Sequence, residues 1–502
     1  MANYLGLDVG TTNIKAVLLN IDQGQIIAQA SKSTPYTIKE QNTAELSPEQ
    51  LYRSAVECIG EVSAGFEVDG LGISSFAEAG LPLNKNGTPL FPVIAWFDNR
   101  SQTQVNQLLE KFPEAKIYQI TGQKPGFSFG LFKFLWIKEN FPDVTSQMRW
   151  WLSVPDYILY RLTGEIFTDY TQASRTMVFD QEKRDWSDIL MDYAEISREQ
   201  LPNTVPSGTI IGNITKKASI ETGLPEGLPC AVGGHDHLCG AFACGGFKSS
   251  MAVDSSGSSQ ALLFFRDQFN PEDKLMKMGY VQYIHVVPNQ YVIKGGLKTA
   301  GKALEWLREQ MKITSYDFKG LSTMKKPLER PIWLPFFQGS GTPNREPFNR
   351  ASLFGLTLNH SKSDIAVALM EGLAYWLRDN TESIMKNTGK KIEKIIAIGG
   401  ANQNYLMKEI KSSVLNIPVI SPEIPEPPAV GAALLAAVGN KEFSSYLEAQ
   451  ESLHFPVKVT EPNLQYYEMY SKIYERVYQI SKKALFRIHT ELHKLEHEKE
   501  KK

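Results

Sequence analysis

Residues 233–259 read GGHDHLCGAFACGGFKSSMAVDSSGSS, close to the midpoint of a 502-residue chain. Asp236 stands between two histidines behind a glycine pair, and a short apolar strand then opens into a Gly/Ser loop at Gly257. A carboxylate able to accept a proton and a loop able to cradle a phosphate therefore lie in one stretch. Read alone, the cluster also suits a metal site at His235, Asp236 and His237, or a polar turn. Zinc is disfavoured, because HDH lacks the helical i,i+4 spacing of common zinc pairs and only 235 and 237 share a strand face. Cys239 and Cys244, flanked by Ala and Gly, read as small buried residues.

The Gly257 loop has a counterpart near the N-terminus. Aligned on glycine, Asp8-Val9-Gly10-Thr11-Thr12 lies over Ser255-Ser256-Gly257-Ser258-Ser259, each between two strand-like runs. Such a degenerate repeat predicts a duplicated α/β domain with a cleft between the copies. The expected division is 1–245, 246–485 and a charged, solvated helical tail at 486–502. Glycine lets each loop turn tightly so that N–H and hydroxyl groups form an anion cradle. A carboxylate beside such a cradle would repel phosphate, so Asp8 points to a bridging Mg²⁺. The second copy has Ser255 at that place and cannot ligate metal in the same way.

Local patterns fill in the elements. Tyr4–Leu7, Ile14–Leu19 and Gln25–Ala30 read as strands. Ser47 caps a helix with Pro48 at its first position. Val93–Phe97 reads as a strand ending on Asp98-Asn99-Arg100, and helices are expected at 131–140 and 156–163, the latter stopped by Gly164. In the second half, helices are expected at 298–310, 364–380, 405–415 and 429–438, with a strand at 392–398.

Bulk properties narrow the classes. The chain is too long for one core, and a net charge of −2 leaves no basic footprint for nucleic acid. The longest apolar runs are too short to span a bilayer. Four cysteines without CxxC spacing fit a reducing cytoplasm. A homodimer is the default closed assembly.

Two further constellations bear on ligands. Gly399-Gly400-Ala401-Asn402-Gln403-Asn404 follows a buried strand and precedes a helix, a place where glycines admit a flat base close to the backbone. Trp96, Asp98 and Arg100, if they alternate along a strand end, offer a stacking face and a bidentate pair suited to a polyol. The bland reading of the last two is a surface ion pair worth little.

With these residues in place, the chain resembles the FGGY carbohydrate kinases, which include glycerol, xylulose, ribulose and gluconate kinases. The motifs run in the family's order over the whole length to the final helix: DVGTTNIKAVLL at 8–19, WFDNR at 96–100, VPDYILYRLTGE at 154–165, GGHDHLCGA, DSSGSS, GGANQN and PPAVGAALLA. The resemblance implies two actin-like, ribonuclease-H-like domains with ATP and a sugar meeting in the cleft. It makes Asp236 the base and puts Mg²⁺ on Asp8 and Asp236 through water. It sets Thr11, Thr12, Lys15, Gly257, Ser258, Gly301, Gly400, Ala401 and Asn404 around the nucleotide. Glu78 and His237, with Trp96, Asp98 and Arg100 more loosely, fall on the sugar side. SSFAEAG departs from both the xylulose and the glycerol branches, and Ala77 removes an arginine that glycerol kinases use.

The expected function is an ATP- and Mg²⁺-dependent kinase of a small ketose, sugar acid or polyol, a xylulose-like pentulose favoured and gluconate next. A non-catalytic actin-like regulator and a sugar-independent ATPase are the competing readings.

Overall fold

The computed structural model describes residues 2–40, 43–313 and 325–498. The first half is built on β1 (Asn3–Val9), β2 (Asn13–Asn20), β3 (Gln25–Ser33), α1 (Pro48–Ser63) and β4 (Gly70–Ser75). It continues with α2 (Val154–Thr163), the short α3 (Tyr170–Ser174), an edge strand β5 (Ile210–Asn213), β6 (Pro229–His235) and α4 (Asp236–Ala243). The second half follows with β7 (Met251–Ser256), β8 (Gln260–Arg266), β9 (Val281–Ile284), β10 (Tyr291–Leu297), α5 (Gly301–Met311) and α6 (Lys362–Thr388). Last come β11 (Lys394–Ile398), α7 (Tyr405–Leu415), β12 (Val419–Pro422), α8 (Pro427–Gly439), β13 (Val457–Thr460) and α9 (Gln479–Glu498).

One sheet has the order β5-β6-β4-β1-β2-β3, the other β9-β10-β8-β7-β11-β12-β13. In each, the first strand turns antiparallel into the second through the Gly loop, with Val9 opposite Ile14 and Ser256 opposite Gln260. Each first strand also lies parallel beside a later one, β1 by β4 and β7 by β11. Setting β1, β2, β3, β4 and β6 against β7, β8, β10, β11 and β12 gives the same spatial order twice. The two-loop repeat is therefore a repeat of whole domains, in the duplicated actin-like arrangement.

The halves meet through helices. A Cβ added at Gly6 on β1 would lie 1.8 Å from the Ala429 carbonyl oxygen of α8. One added at Gly431 would lie 2.1 Å from the Cys239 carbonyl of α4. Only bare backbone permits that closeness, so α8 rests directly on the first sheet and crosses α4. A single apolar cluster joins Leu238 and Phe242 of α4, Val430 and Leu434 of α8, and Val253, Leu263 and Phe265 of the second sheet.

Most local expectations hold within a residue or two. Ser47 caps α1, accepting from the Gln50 N–H over 3.4 Å, and α2 ends on Gly164 at φ 82°. Helix α6 runs past Asn380 to Thr388. Asn380 does not end it, because its Nδ2 donates to the Trp376 and Thr342 carbonyls inside the core. The strand expected at 93–97 stops at Ile94, and the chain turns so that the Asp98 N–H donates to the Ala95 carbonyl. The tail is a helix whose residues from 486 to 498 are mostly exposed, tied to the body at a few points. Lys482 meets Asp379, the Arg350 N–H donates to His489 Nδ1 over 3.1 Å, and Arg350 pairs with Glu496. Residues 499–502 lie outside the described residues. All four cysteines are buried free thiols, and among the described residues no helix is long and apolar enough to cross a membrane.

Candidate active site

Two carboxylates anchor the site, Asp8 buried and Asp236 partly exposed. Asp8 lies near the end of β1, which is buried along its whole length. Burial, then the nearby Asp236, push its carboxyl up to about 7, against the Ser74 hydroxyl that donates to Oδ1 over 2.8 Å and against Lys15. Asp236 opens α4 at the point where β6 ends, so the helix N-terminus faces its charge. Burial, with Glu78, lifts it to about 7, while the His237 N–H, Lys294 and Arg175 oppose the rise. Two neighbouring carboxylates, one of them lifted by the charge of the other, fit a hard divalent cation with oxygen ligands. The strand-to-helix break at 235/236 also brings ligand atoms of His235, Asp236 and His237 within 4.8 Å of one another, closer than strand spacing alone suggested. His235 Nε2 lies 3.2 Å from Asp236 Oδ1 and burial keeps its ring neutral, so it orients the carboxylate.

The first loop adjoins Asp8, a Cβ at Gly10 lying 3.4 Å from its Oδ2, and the second opens the other domain. At the first, the Gly10 N–H donates to the Asn13 carbonyl and the Thr34 hydroxyl to the Gly10 carbonyl, which closes the turn. The Trp96 indole N–H donates to the Thr11 hydroxyl over 3.0 Å, and Thr12 is exposed. Lys15 pairs with Glu426, just before α8, over 2.6 Å. At the second, Gly257 has open space where a Cβ would stand. The Gly301 and Ala300 N–H groups donate to the Gly257 and Ser258 carbonyls over 3.0 and 2.8 Å. A Cβ at Gly301 would come 2.4 Å from the Gly257 oxygen and 3.7 Å from Ala401 Cβ. Gly257, Ser258, Gly301 and Ala401 thus gather in one place from three separate stretches, with Gly400 open beside them. Asn404 uses its side-chain oxygen to cap α7 at the Met407 N–H.

Beneath the second loop lies a polar network that no local pattern announced. Asp254, fully buried, accepts from the Ser256 hydroxyl and Gln260 Nε2 at 2.7 Å each and pairs with the buried Lys411. Lys411 also donates to Asn402, whose Nδ2 donates to the Asp254 and Ile398 carbonyls. One buried cluster fixes both the phosphate loop and the GGA turn.

The remaining wall is formed by Glu78, held at φ 70°. Arg175 donates Nε to its Oε1 over 2.8 Å and Nη1 to Gln123 over 2.9 Å. Burial alone would raise the Glu78 carboxyl, but Arg175, with Lys294 and Lys133 behind it, holds it below its ordinary value. His237 opens to the cleft. Trp96 is also partly open. Asp98 and Arg100, however, do not form the open bidentate pair expected. Asp98 is fully buried and accepts from the Ala44 N–H and from Arg100, and Arg100 reaches Glu45. They brace the turn that carries Trp96.

Comparison with known proteins decides what this arrangement belongs to. The model of the N-terminal domain of the FGGY family of carbohydrate kinases matches residues 3–243, and that of its C-terminal domain matches residues 255–439. This chain is a member of that family. Xylulose kinase of Bacillus subtilis (strain 168) is 27% identical over 490 residues, 95% of this chain and 97% of that protein. L-Fuculokinase of Escherichia coli (strain K12) is 28% identical, covering 91% of this chain and 97% of its own. The crystal structure of gluconate kinase from Lactobacillus acidophilus superposes with a TM-score of 0.88 at 25% identity, over 98% of this chain and 99% of that one.

As a carbohydrate kinase of the FGGY family, the chain is a phosphotransferase with an alcohol group as acceptor. Its wall residues Arg175, Gln123 and Lys294 escaped the sequence reading. So did Thr171, whose hydroxyl accepts from the His235 N–H over 2.8 Å and donates to Asp169. The polar run DYTQASRT at 169–176, set among apolar residues, was the available signal.

Proposed function

We propose that this kinase phosphorylates a primary hydroxyl of a small ketose, sugar acid or polyol from ATP, in the cleft between domains divided at 245/246. The observation that carries the reading is Asp236, a carboxylate held near neutrality at the mouth of α4, within reach of the charges of Asp8 and Glu78. A group with a pKa near the working pH is suited to accept the hydroxyl proton. The freed oxygen then bonds to the γ-phosphorus as the bond to the bridging oxygen breaks and ADP departs. Thr11, Thr12, Gly257 and Ser258 cradle phosphates, while Gly301, Gly400 and Ala401 line the base. Asp8 and Asp236 would hold Mg²⁺, which supplies charge neutralisation to the phosphates when bound. Glu78, Trp96 and His237 face the sugar.

The names of the relatives favour a xylulose-like pentulose, with gluconate next. Four buried thiols suit a cytoplasmic setting. The test is a coupled assay of ADP release over pentuloses, hexuloses, aldonic acids and tetritols. Release stimulated by one class and dependent on Mg²⁺ supports the reading; release indifferent to every sugar counts against it.

A further inference from the structure

Lys294 sits opposite Leu263 on one side and Val281 on the other, and directly paired residues share a sheet face. Two positions along, the same face carries Phe265, Val292 and Tyr283, all buried. Within these three strands Lys294 is the charged member of an apolar face. That face looks toward the first domain. The Tyr283 ring lies 5.4 Å from the Arg175 guanidinium and 6.4 Å from the His235 ring.

Lys294 feels Arg175, Glu78 and Asp236, yet among the described residues it makes no hydrogen bond or ion pair. Arg175 already answers Glu78 and Gln123. Nearby, Tyr283 Oη and His235 Nδ1 are buried without a partner. An ammonium has three donors and no acceptor, and keeping one partly buried and unpaired is costly. Lys294 is partly exposed, so an arriving acceptor would take the place of solvent at its ammonium.

We infer that Lys294 is a specificity residue that donates to an acceptor-only oxygen of the sugar, a keto carbonyl or a carboxylate, and so selects against polyols. The inference rests on the kinase reading of the same site. A carboxylate takes charge-assisted hydrogen bonds and a ketone takes weaker ones. An alditol hydroxyl must bring its own proton into the same space. Burial and Arg175 lower the Lys294 ammonium to about 8, so it is still protonated at neutral pH. Because β10 belongs to the second domain, the sugar would be gripped from both sides of the cleft.

The test uses matched sugars on one carbon skeleton, xylulose, xylonate and xylitol, with ADP release and calorimetric titration on the full chain. The wild type is expected to favour the ketose or the acid over the alditol by about 10-fold or more in kcat/KM. Lys294→Met is expected to erase that preference through KM with kcat little changed, and Lys294→Arg to retain most of it. A drop confined to xylonate identifies the carboxylate, and one confined to xylulose the carbonyl. A wild type that prefers xylitol, or a Lys294→Met variant that binds all three as the wild type does, overturns the inference. ADP release that no sugar stimulates overturns the kinase reading instead, and the titrations still decide Lys294.

Discussion

The Ser74 hydroxyl donates to Asp8 Oδ1 over 2.8 Å from the strand lying parallel beside it. This bond favours the ionised form of a carboxyl that burial pushes toward neutrality. Ser74→Ala is expected to raise the Asp8 pKa further and to shift the acid limb of the pH profile of kcat/KM upward by about half a unit to one unit. An unmoved limb would show that Asp8 does not govern it.

Asp8 also links stability to pH. Its carboxyl titrates near 7 in the folded chain against about 3.9 when unfolded. Across that window the folded state binds a proton the unfolded state has lost, so stability present at low pH drains away as pH rises through 7. Without divalent cations, Asp8→Asn is therefore expected to melt a few degrees higher than the wild type at pH 8 and to match it near pH 4. Differential scanning calorimetry at the two pH values checks the sign.

Asp236→Asn removes the proton acceptor while keeping shape. Turnover is expected to fall by ~10²–10⁴-fold, with nucleotide affinity nearly intact by calorimetry. Near-normal turnover would shift the base to another group.

Lys411→Met leaves the buried Asp254 without its cation. Removing one partner of a buried pair costs about 3–5 kcal/mol, to be read from urea unfolding. The variant's remaining folded fraction is expected to show a raised KM for ATP, because the Gly257 loop and the Asn402 turn hang on that network.

Gly301→Ala places a methyl 2.4 Å from the Gly257 carbonyl. The KM for ATP is expected to rise several-fold and the KM for sugar to stay put. The reverse pattern would move the nucleotide elsewhere.

Much of this was legible in the chain because certain residue types report local needs. Glycine between strand-like runs marks a tight turn, and a carboxylate beside it marks an unusual one; Asp8, Gly10, Asp236 and Gly257 all speak in that way. The duplication of the domain followed from aligning two loops alone, while the order of strands in each sheet did not. Lys294 was silent because it lies in an ordinary strand run, and the polar run that carries Arg175 takes on its meaning only when α3 and β10 are brought up to Glu78. Asp98 and Arg100 misled for the opposite reason. Their spacing suggested an outward strand face, but Glu45 and the Ala44 N–H, distant in sequence, draw them inward.

Helix α8 is encoded near the end of the chain yet rests on β1, β4 and β6 of the first sheet. During synthesis that sheet must wait, one apolar face bare, until residue 439 has left the ribosome. A polypeptide stopped at 245 would lack the lid for its own sheet and would leave the face that α8 covers open to water. Fragments 1–245 and 246–502, produced together, have what they need to complete one another. The two halves are separate bodies in shape but a single unit in biogenesis.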